Sequence, residues 1–333
     1  MKLIRSQEEF VRALSIPSVS ADFGLIESQL DAVVENFIEP VIGTQMLEAI
    51  QTKIKDVEEL DDNWQGLLDR LQRPLAMIAY LRAVPLMDVN ARSGGFTVNT
   101  DENSAPASKA RVREFKKALW IQSQEAMNSL IGYLDKKRDH FTEYKDSAAE
   151  KRRFRNLVNV YGDWSDSVLH QAGDWVIDHM RPTITIHEEK IREVICDQLF
   201  DFFQAKITAR SDDFTENGKN YAPLLPIIRR YICNATMASL VEQNSIVVTG
   251  SRAYVMLEEQ DDANVTTRPA DIVNRDSYRL EYKNSAGAAL KMLRKKLVAG
   301  DYPLWSESPC AQASETLKPQ STNGIFPAFG VGS

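Results

Sequence analysis

A mainly α-helical protein is predicted by three observations. Apolar residues recur at spacings of three and four along most of the 333 residues. Short β-rich runs interrupt that pattern in two places only, and the order of elements occurs twice. The expectation is two tandem helical-bundle units, each with an inserted β-hairpin, followed by an extended C-terminal arm. The first unit covers residues 1–137 with a hairpin near 87–99, a connector fills 138–186, the second unit covers 187–302 with a hairpin near 245–257, and the arm is 303–333.

The chain opens on Ser6-Gln-Glu-Glu9, the S-x-x-E form of a capping box, which predicts a short helix to Leu14. "SIPSVSAD" breaks it, because Pro17 disfavours helix at the preceding residue and the serines compete for backbone hydrogen bonds. Leu25, Leu30, Val33, Val34, Phe37, Ile38 and Val41 form the stripe of an amphipathic helix that Pro40 and Gly43 bend or restart. A second stripe through Met46, Leu47, Ile50 and Ile54 ends at the acidic "DVEELDD", a solvated loop. Leu67, Leu68, Leu71, Leu75, Ile78, Ala79 and Leu81 cover more than one face of the next helix, which places it in the middle of a bundle. "SGGFTV" follows, then a long helix whose buried side is Phe115, Leu119, Met127, Leu130, Ile131 and Leu134.

The second half repeats this order. Ile191, Val194, Ile195, Leu199 and Phe203 correspond to the helix around Leu30 to Val41, and Leu224 and Leu225 open an apolar helix as Leu67 and Leu68 do. "NSIVVTGSRAYVMLE" is a hairpin signal, two β-rich runs joined through Thr249, Gly250 and Ser251. The helix beginning Glu281-Tyr282-Lys283 parallels the one beginning Glu114-Phe115-Lys116. An internal duplication is the reading. A two-stranded ribbon is marginal alone in water, so each needs either its own helices or a neighbouring chain. In the connector, Trp164, Trp175 and Tyr161 are expected to anchor against the second unit. Beyond Pro303 no period is sustained, yet Ile325, Phe326 and Phe329 stand near the end as apolar anchors. They dock on a partner or fold back on their own domain.

A composition of 43% hydrophobic and 26% charged residues with a net charge of −7 is that of an ordinary soluble globular chain. No run suggests a membrane span, and "MKLIRSQEEF" lacks the apolar core of a signal peptide, so folding in a cytoplasm is expected. Net acidity argues against broad nucleic-acid binding. "KRRFR" (151–155) and "LRKKL" (293–297) read as solvated helix faces or subunit contacts. Cys196, Cys233 and Cys310 fit neither a disulfide framework nor zinc spacing and read as idle thiols.

Catalytic signatures are lacking: no phosphate loop, dinucleotide fingerprint, nucleophile elbow or H-E-x-x-H. His140, His170, His179 and His187 never stand at i, i+4, with a helix break expected at Pro182. The carboxylate pairs Asp61, Asp62 and Asp212, Asp213 read as turn and cap residues. The expectation is therefore no enzyme, with no catalytic, metal or cofactor site.

"ENFIEPVIGTQMLEAI", the apolar helix "LQRPLAMIAYLRAVPLMDV", the glycine-led "SGGFTV" and "SKARVREFKKALWIQSQEAMNSLIGYLD" resemble a family of tailed phages and prophages of gut bacteria. Its members are encoded among structural genes and look like head-to-tail connector or adaptor proteins. The likeness rests on apolar positions with Pro40, Gly43, Gly94 and Gly95, covers the first 135 residues best, and extends to the "IFPAFGVG" ending. It implies a virion protein at the head-tail junction, assembled in the bacterial host as a ring of about twelve copies. Its partners would be further copies of itself, the portal, and tail or stopper proteins. DNA would pass without sequence-specific binding, and no membrane is involved. On this reading Gly94, Gly95, Phe96 and Val98, Val248, Gly250 and Tyr254, and Ile325, Phe326 and Phe329 meet other polypeptides. A tail terminator or stopper, or an enzyme with a dispersed active site, are the alternatives.

Overall fold

Ser6 starts the first helix as its motif requires: its Oγ accepts from the Glu9 N–H at 3.2 Å, and Gln7–Leu14 (α1) follows. Glu9 reaches past Ser6, however, and accepts from the Arg5 N–H at 2.7 Å. The chain, a computed structural model, is mainly α-helical, and the structure describes residues 2–14, 23–55, 60–87, 89–92, 95–98, 109–243, 246–249, 252–255 and 269–311. The expected break at "SIPSVSAD" (15–22) lies outside these.

Phe23–Val33 (α2) widens into a π-helical turn at Val34–Ile38, then Glu39–Ile42 (α3) restarts with Pro40 in its first turn, where the missing N–H costs nothing. Gly43 takes φ +86° and separates α3 from Thr44–Lys55 (α4). A Cβ there would stand 3.3 Å from that of Ala149 as well as in a backbone region that favours glycine.

Asp61 caps Asp62–Met87 (α5), accepting from the Asn63 and Trp64 N–H groups at 2.9 Å each, which holds its carboxyl below the usual range. Leu67, Leu71, Leu75, Ile78 and Ala79 are fully buried. Val89–Arg92 (β1) and Gly95–Val98 (β2) pair antiparallel and form a two-stranded sheet. The helix Lys109–Lys136 (α6) returns along α5, which also meets α1 and α2. Phe115 was expected inside and is 39% exposed, its ring edge-on to Tyr80 at 6.2 Å. From residue 111 onward, burial on α6 starts at Leu119.

Ala148–Arg153 (α7) is capped by Ser147, and Tyr161–Ser165 (α8) and the two-residue strand Gln171–Ala172 (β3) lead into Asp174–Thr208 (α9). Trp164 and Trp175 are buried as expected, with the Trp164 Nε1–H donating to the His170 carbonyl at 3.0 Å, but Tyr161 is exposed. "KRRFR" is not simply a solvated face: Lys151, Arg152 and Arg155 are exposed, while Arg153 is 1% exposed and holds Asp135.

Pro182 does not break α9. A proline inside a helix costs about 3 kcal/mol, yet the buried stripe of Ile177, Met180, Ile184, Ile191 and Ile195 runs through it, and packing decides. The helix therefore crosses the expected boundary at 186/187. Its discontinuity is at Cys196, with φ +64°. Thr215–Glu216 (β4) and Lys219–Asn220 (β5) make a small hairpin around Asn217 and Gly218, both at positive φ. Asp213 serves as a turn residue, accepting from the Thr215 N–H at 2.9 Å.

Leu225–Glu242 (α10), Ile246–Thr249 (β6), Arg252–Val255 (β7) and Pro269–Gly300 (α11) complete the second half. The α11 helix lies along α10 through one stripe: Tyr282, Ala286, Ala289, Leu293 and Leu297. The arm does not begin as an extended segment. Pro303–Ser306 (α12) folds onto α9, with Trp305 buried and its Nε1–H donating to the Val194 carbonyl at 3.3 Å. The idle-thiol expectation is likewise corrected, since Cys196 and Cys310 are joined in a disulfide across 114 residues. Only Cys233, fully buried among apolar side chains, is a free thiol. No helix among the described residues is long and apolar enough to cross a membrane.

Candidate functional site

The second hairpin is seated on α6. The β6 and β7 strands pair antiparallel from Ile246↔Val255 to Thr249↔Arg252, and β7 also pairs in parallel with β3 through Gln171↔Arg252 and Ala172↔Ala253. At the end of β7, the Gln124 side-chain amide behaves like a neighbouring strand. Its Oε1 accepts from the Val255 N–H at 3.0 Å and its Nε2 donates to the Val255 carbonyl at 3.1 Å. The same carbonyl accepts from Trp120 Nε1 at 2.9 Å. Arg252 pairs with Glu125 at 2.7 Å, and the Tyr254 hydroxyl stands 3.3 Å from the same carboxylate.

These contacts place the residues expected to meet another polypeptide. Tyr254 is 9% exposed and serves this intramolecular seam, and Val248 is half-buried against the core. Gly95, Phe96 and Val98 lie on β2. Gly94, Gly250, Ile325, Phe326 and Phe329 lie outside the described residues. Among the described residues the two ribbons belong to separate sheets: β1 and β2 form one, β3, β7 and β6 another. The seat on α6, Trp120-Gln124-Glu125, was not foreseen, because no local pattern signals a partner more than a hundred residues away.

Beside the seam lies a cleft of about 450 Å³ whose lining includes Glu125, Asn128, Tyr161, Asp174, Arg252 and Tyr254. Burial pushes the Asp174 carboxyl up, against the pull of Arg153 and of the Tyr161 N–H, which donates to it at 2.6 Å. Neither a histidine nor a serine, threonine or cysteine is in that lining, and its Glu125 carboxylate is paired with Arg252. The histidines are engaged elsewhere. His170 bonds the Tyr282 hydroxyl, His179 the Trp175 carbonyl at 3.0 Å, His187 the Ser239 hydroxyl at 3.0 Å, and His140 faces Asp61 at 3.5 Å. Among the described residues, no three His, Cys, Asp or Glu side chains could hold a metal ion.

Two neighbours on α9 carry opposed pH dependences. Burial pushes Glu188 up to about 7, although Asn156 Nδ2 and the Leu157 N–H both donate to it at 2.6 Å, while burial pushes His187 down to about 4. Glu188 favours the fold below its unfolded value of 4.5, and that favour is lost as pH rises towards 7. His187 works the other way: it favours the fold above 6.5 and the favour is lost as pH falls towards 4. Over that range the contributions of these two groups oppose each other. Glu188→Gln keeps an acceptor for Leu157 and leaves His187 unopposed, so stability should rise with pH from 4 to 6.5 and exceed the parent's most at pH 8. Urea midpoints at pH 5 and pH 8 check this; equal shifts at both would refute it.

A family model described as "Family of unknown function (DUF6712)" matches residues 38–154 and 191–315. No curated protein and no solved structure matches the chain.

Proposed function

We propose that this chain, which belongs to the DUF6712 family of unknown function, is a structural subunit of a tailed-phage particle. It is a head-to-tail connector or adaptor that forms a ring and bridges portal and tail components through protein contacts, with no catalytic step. The observation that carries the reading is the unequal treatment of the two ribbons. The β6–β7 hairpin has a third strand and a helical seat within its own chain, whereas the β1–β2 hairpin has no third strand among the described residues. Isolated two-stranded ribbons are marginal in water, so one that persists beside a rigid bundle is suited to grip a neighbour.

The sequence supports the same reading through its resemblance to connector proteins. Within it, an acidic protomer suits a channel through which DNA must slide, since few cations are offered to displace the phosphate counterions. The rival enzyme reading draws on Asp174 in its cleft, but that carboxyl is engaged by a backbone N–H, and Glu125 in the same lining is engaged by Arg252. The test is the native mass of the purified chain, alone and mixed with a tailed-phage portal protein. A closed multimer that co-sediments with portal is expected; a monomer under all conditions that never joins particles would refute the proposal.

A further inference from the structure

The α6 helix buries two sides. One packs on α5, and the other, carrying Trp120, Gln124 and Asn128 with the exposed Glu125 at its edge, meets β7 and the start of α9: the Trp175 N–H donates to Asn128 Oδ1 at 2.8 Å. Aligning Glu114-Phe115-Lys116 with Glu281-Tyr282-Lys283 sets Gly287, Lys291, Met292 and Lys295 of α11 opposite those four positions. All four are exposed, a Cβ on Gly287 would meet nothing within 4 Å, and Val298 one turn on is 68% exposed. The inner stripe of α11 is satisfied by α10, while the side that α6 has covered stands open. The two family matches place α6 in the first stretch and α11 in the second.

Within one chain, the cover comes from the helix and hairpin of the following half. The counterparts in the first half are α2, whose inner stripe packs on α5 while its outer edge is exposed, and the β1–β2 ribbon, which has no third strand among the described residues. Alongside α2 runs a groove of about 270 Å³, with Leu30, Val34 and Leu47 in its lining and the acidic Asp31, Glu35 and Glu39 beside them. Lys2, also there, is neutralised by Glu27 at 2.5 Å. The open side of α11 has the opposite charge: Lys291, Arg294 and Lys295 make no ion pair among the described residues.

We infer that copies of this chain associate head to tail, the open side of α11 in one copy receiving the acidic α2 edge and the β1–β2 ribbon of the next. The contact repeats between chains what β7 and α9 make with α6 inside one chain. Such an interface is heterologous, and it closes into a ring when the rotation per copy divides a full turn. The inference rests on the self-assembly proposed above and names the surfaces that carry it.

Charge exchange tests it. Lys291→Glu/Lys295→Glu in one protein and Asp31→Lys/Glu35→Lys in another, all at exposed sites, should each fold by circular dichroism yet associate about a hundredfold more weakly than the parent at low ionic strength. Mixing the two, or placing all four changes in one chain, should restore the multimer seen by sedimentation. Reversals that leave the parent's mass unchanged, or weakened variants that mixing does not rescue, would overturn the docking mode while leaving the connector reading to the portal experiment. A parent that stays monomeric alone but still joins particles would overturn the docking mode by itself.

Discussion

Arg153→Met is expected to cost about 3–5 kcal/mol, the range for removing one partner of a buried ion cluster. The Arg153 guanidinium is 1% exposed; its NH1 donates to Asp135 at 2.9 Å and to the Tyr144 hydroxyl at 2.8 Å, and its Nε faces Asp178 at 3.7 Å. Burial disfavours its charge, but Tyr144, Asp135 and Asp178 outweigh that and hold the proton more firmly than usual. Burial likewise pushes the Tyr144 hydroxyl up. Without the cation, Asp135 and Asp174 lose their nearby counter-charge, while Asp178 keeps Arg181, whose Nε–H donates to it at 2.8 Å. The Asp174 carboxyl, already pushed up by burial and now without the pull of Arg153, is pushed up further, and the favour this gives is lost as pH rises. The deficit should therefore be smaller at pH 5 than at pH 8 in urea unfolding. A deficit under 1 kcal/mol at both would show that the cluster contributes nothing net.

Trp120→Ala should cost a similar amount, about 3–5 kcal/mol, and should also change the form of unfolding. Trp120 is 8% exposed and touches both halves of the chain. Phe37 lies edge-on at 6.4 Å, Trp175 edge-on at 5.6 Å, and the Val255 carbonyl accepts its N–H. Removing the ring opens the seam from both sides, so calorimetry should resolve two transitions in place of one. Trp120→Phe keeps most of the packing and forfeits the hydrogen bond, with an expected loss of about 1 kcal/mol and a single transition. If Trp120→Ala melts as one cooperative unit, the ring is not what joins the halves.

Much of the helical fold was legible because its cause is local. The stripe of α5 is written in Leu67, Leu71, Leu75 and Ile78, and the restart at Gly43 is written in the one residue type that takes φ +86° freely. The β6–β7 ribbon was legible from its β-branched runs. Its seat was not, since nothing at Gln124 announces a partner at Val255, and β3 is two residues long. Arg153 looked like its exposed neighbours because burial of a cation depends on carboxylates brought from elsewhere in the chain. The Cys196–Cys310 bridge fails the spacing rules for the same reason. One miss had a signal: Asn217-Gly218 is a hairpin dipeptide, and β4–β5 turns there.

The span of chain between Trp120 and Val255, 135 residues, also bears on the order in which the molecule takes shape. Contacts between α5 and α6 join segments that are close in sequence and can settle while the rest of the polypeptide is still emerging from the ribosome. The Trp120 clasp must wait until Val255 has been synthesised, and it then closes a large loop at an entropic cost that grows only slowly with length. Until that moment a nascent first half exposes an indole and an amide with no strand to hold, which makes this edge the place where premature encounters between growing chains are most costly.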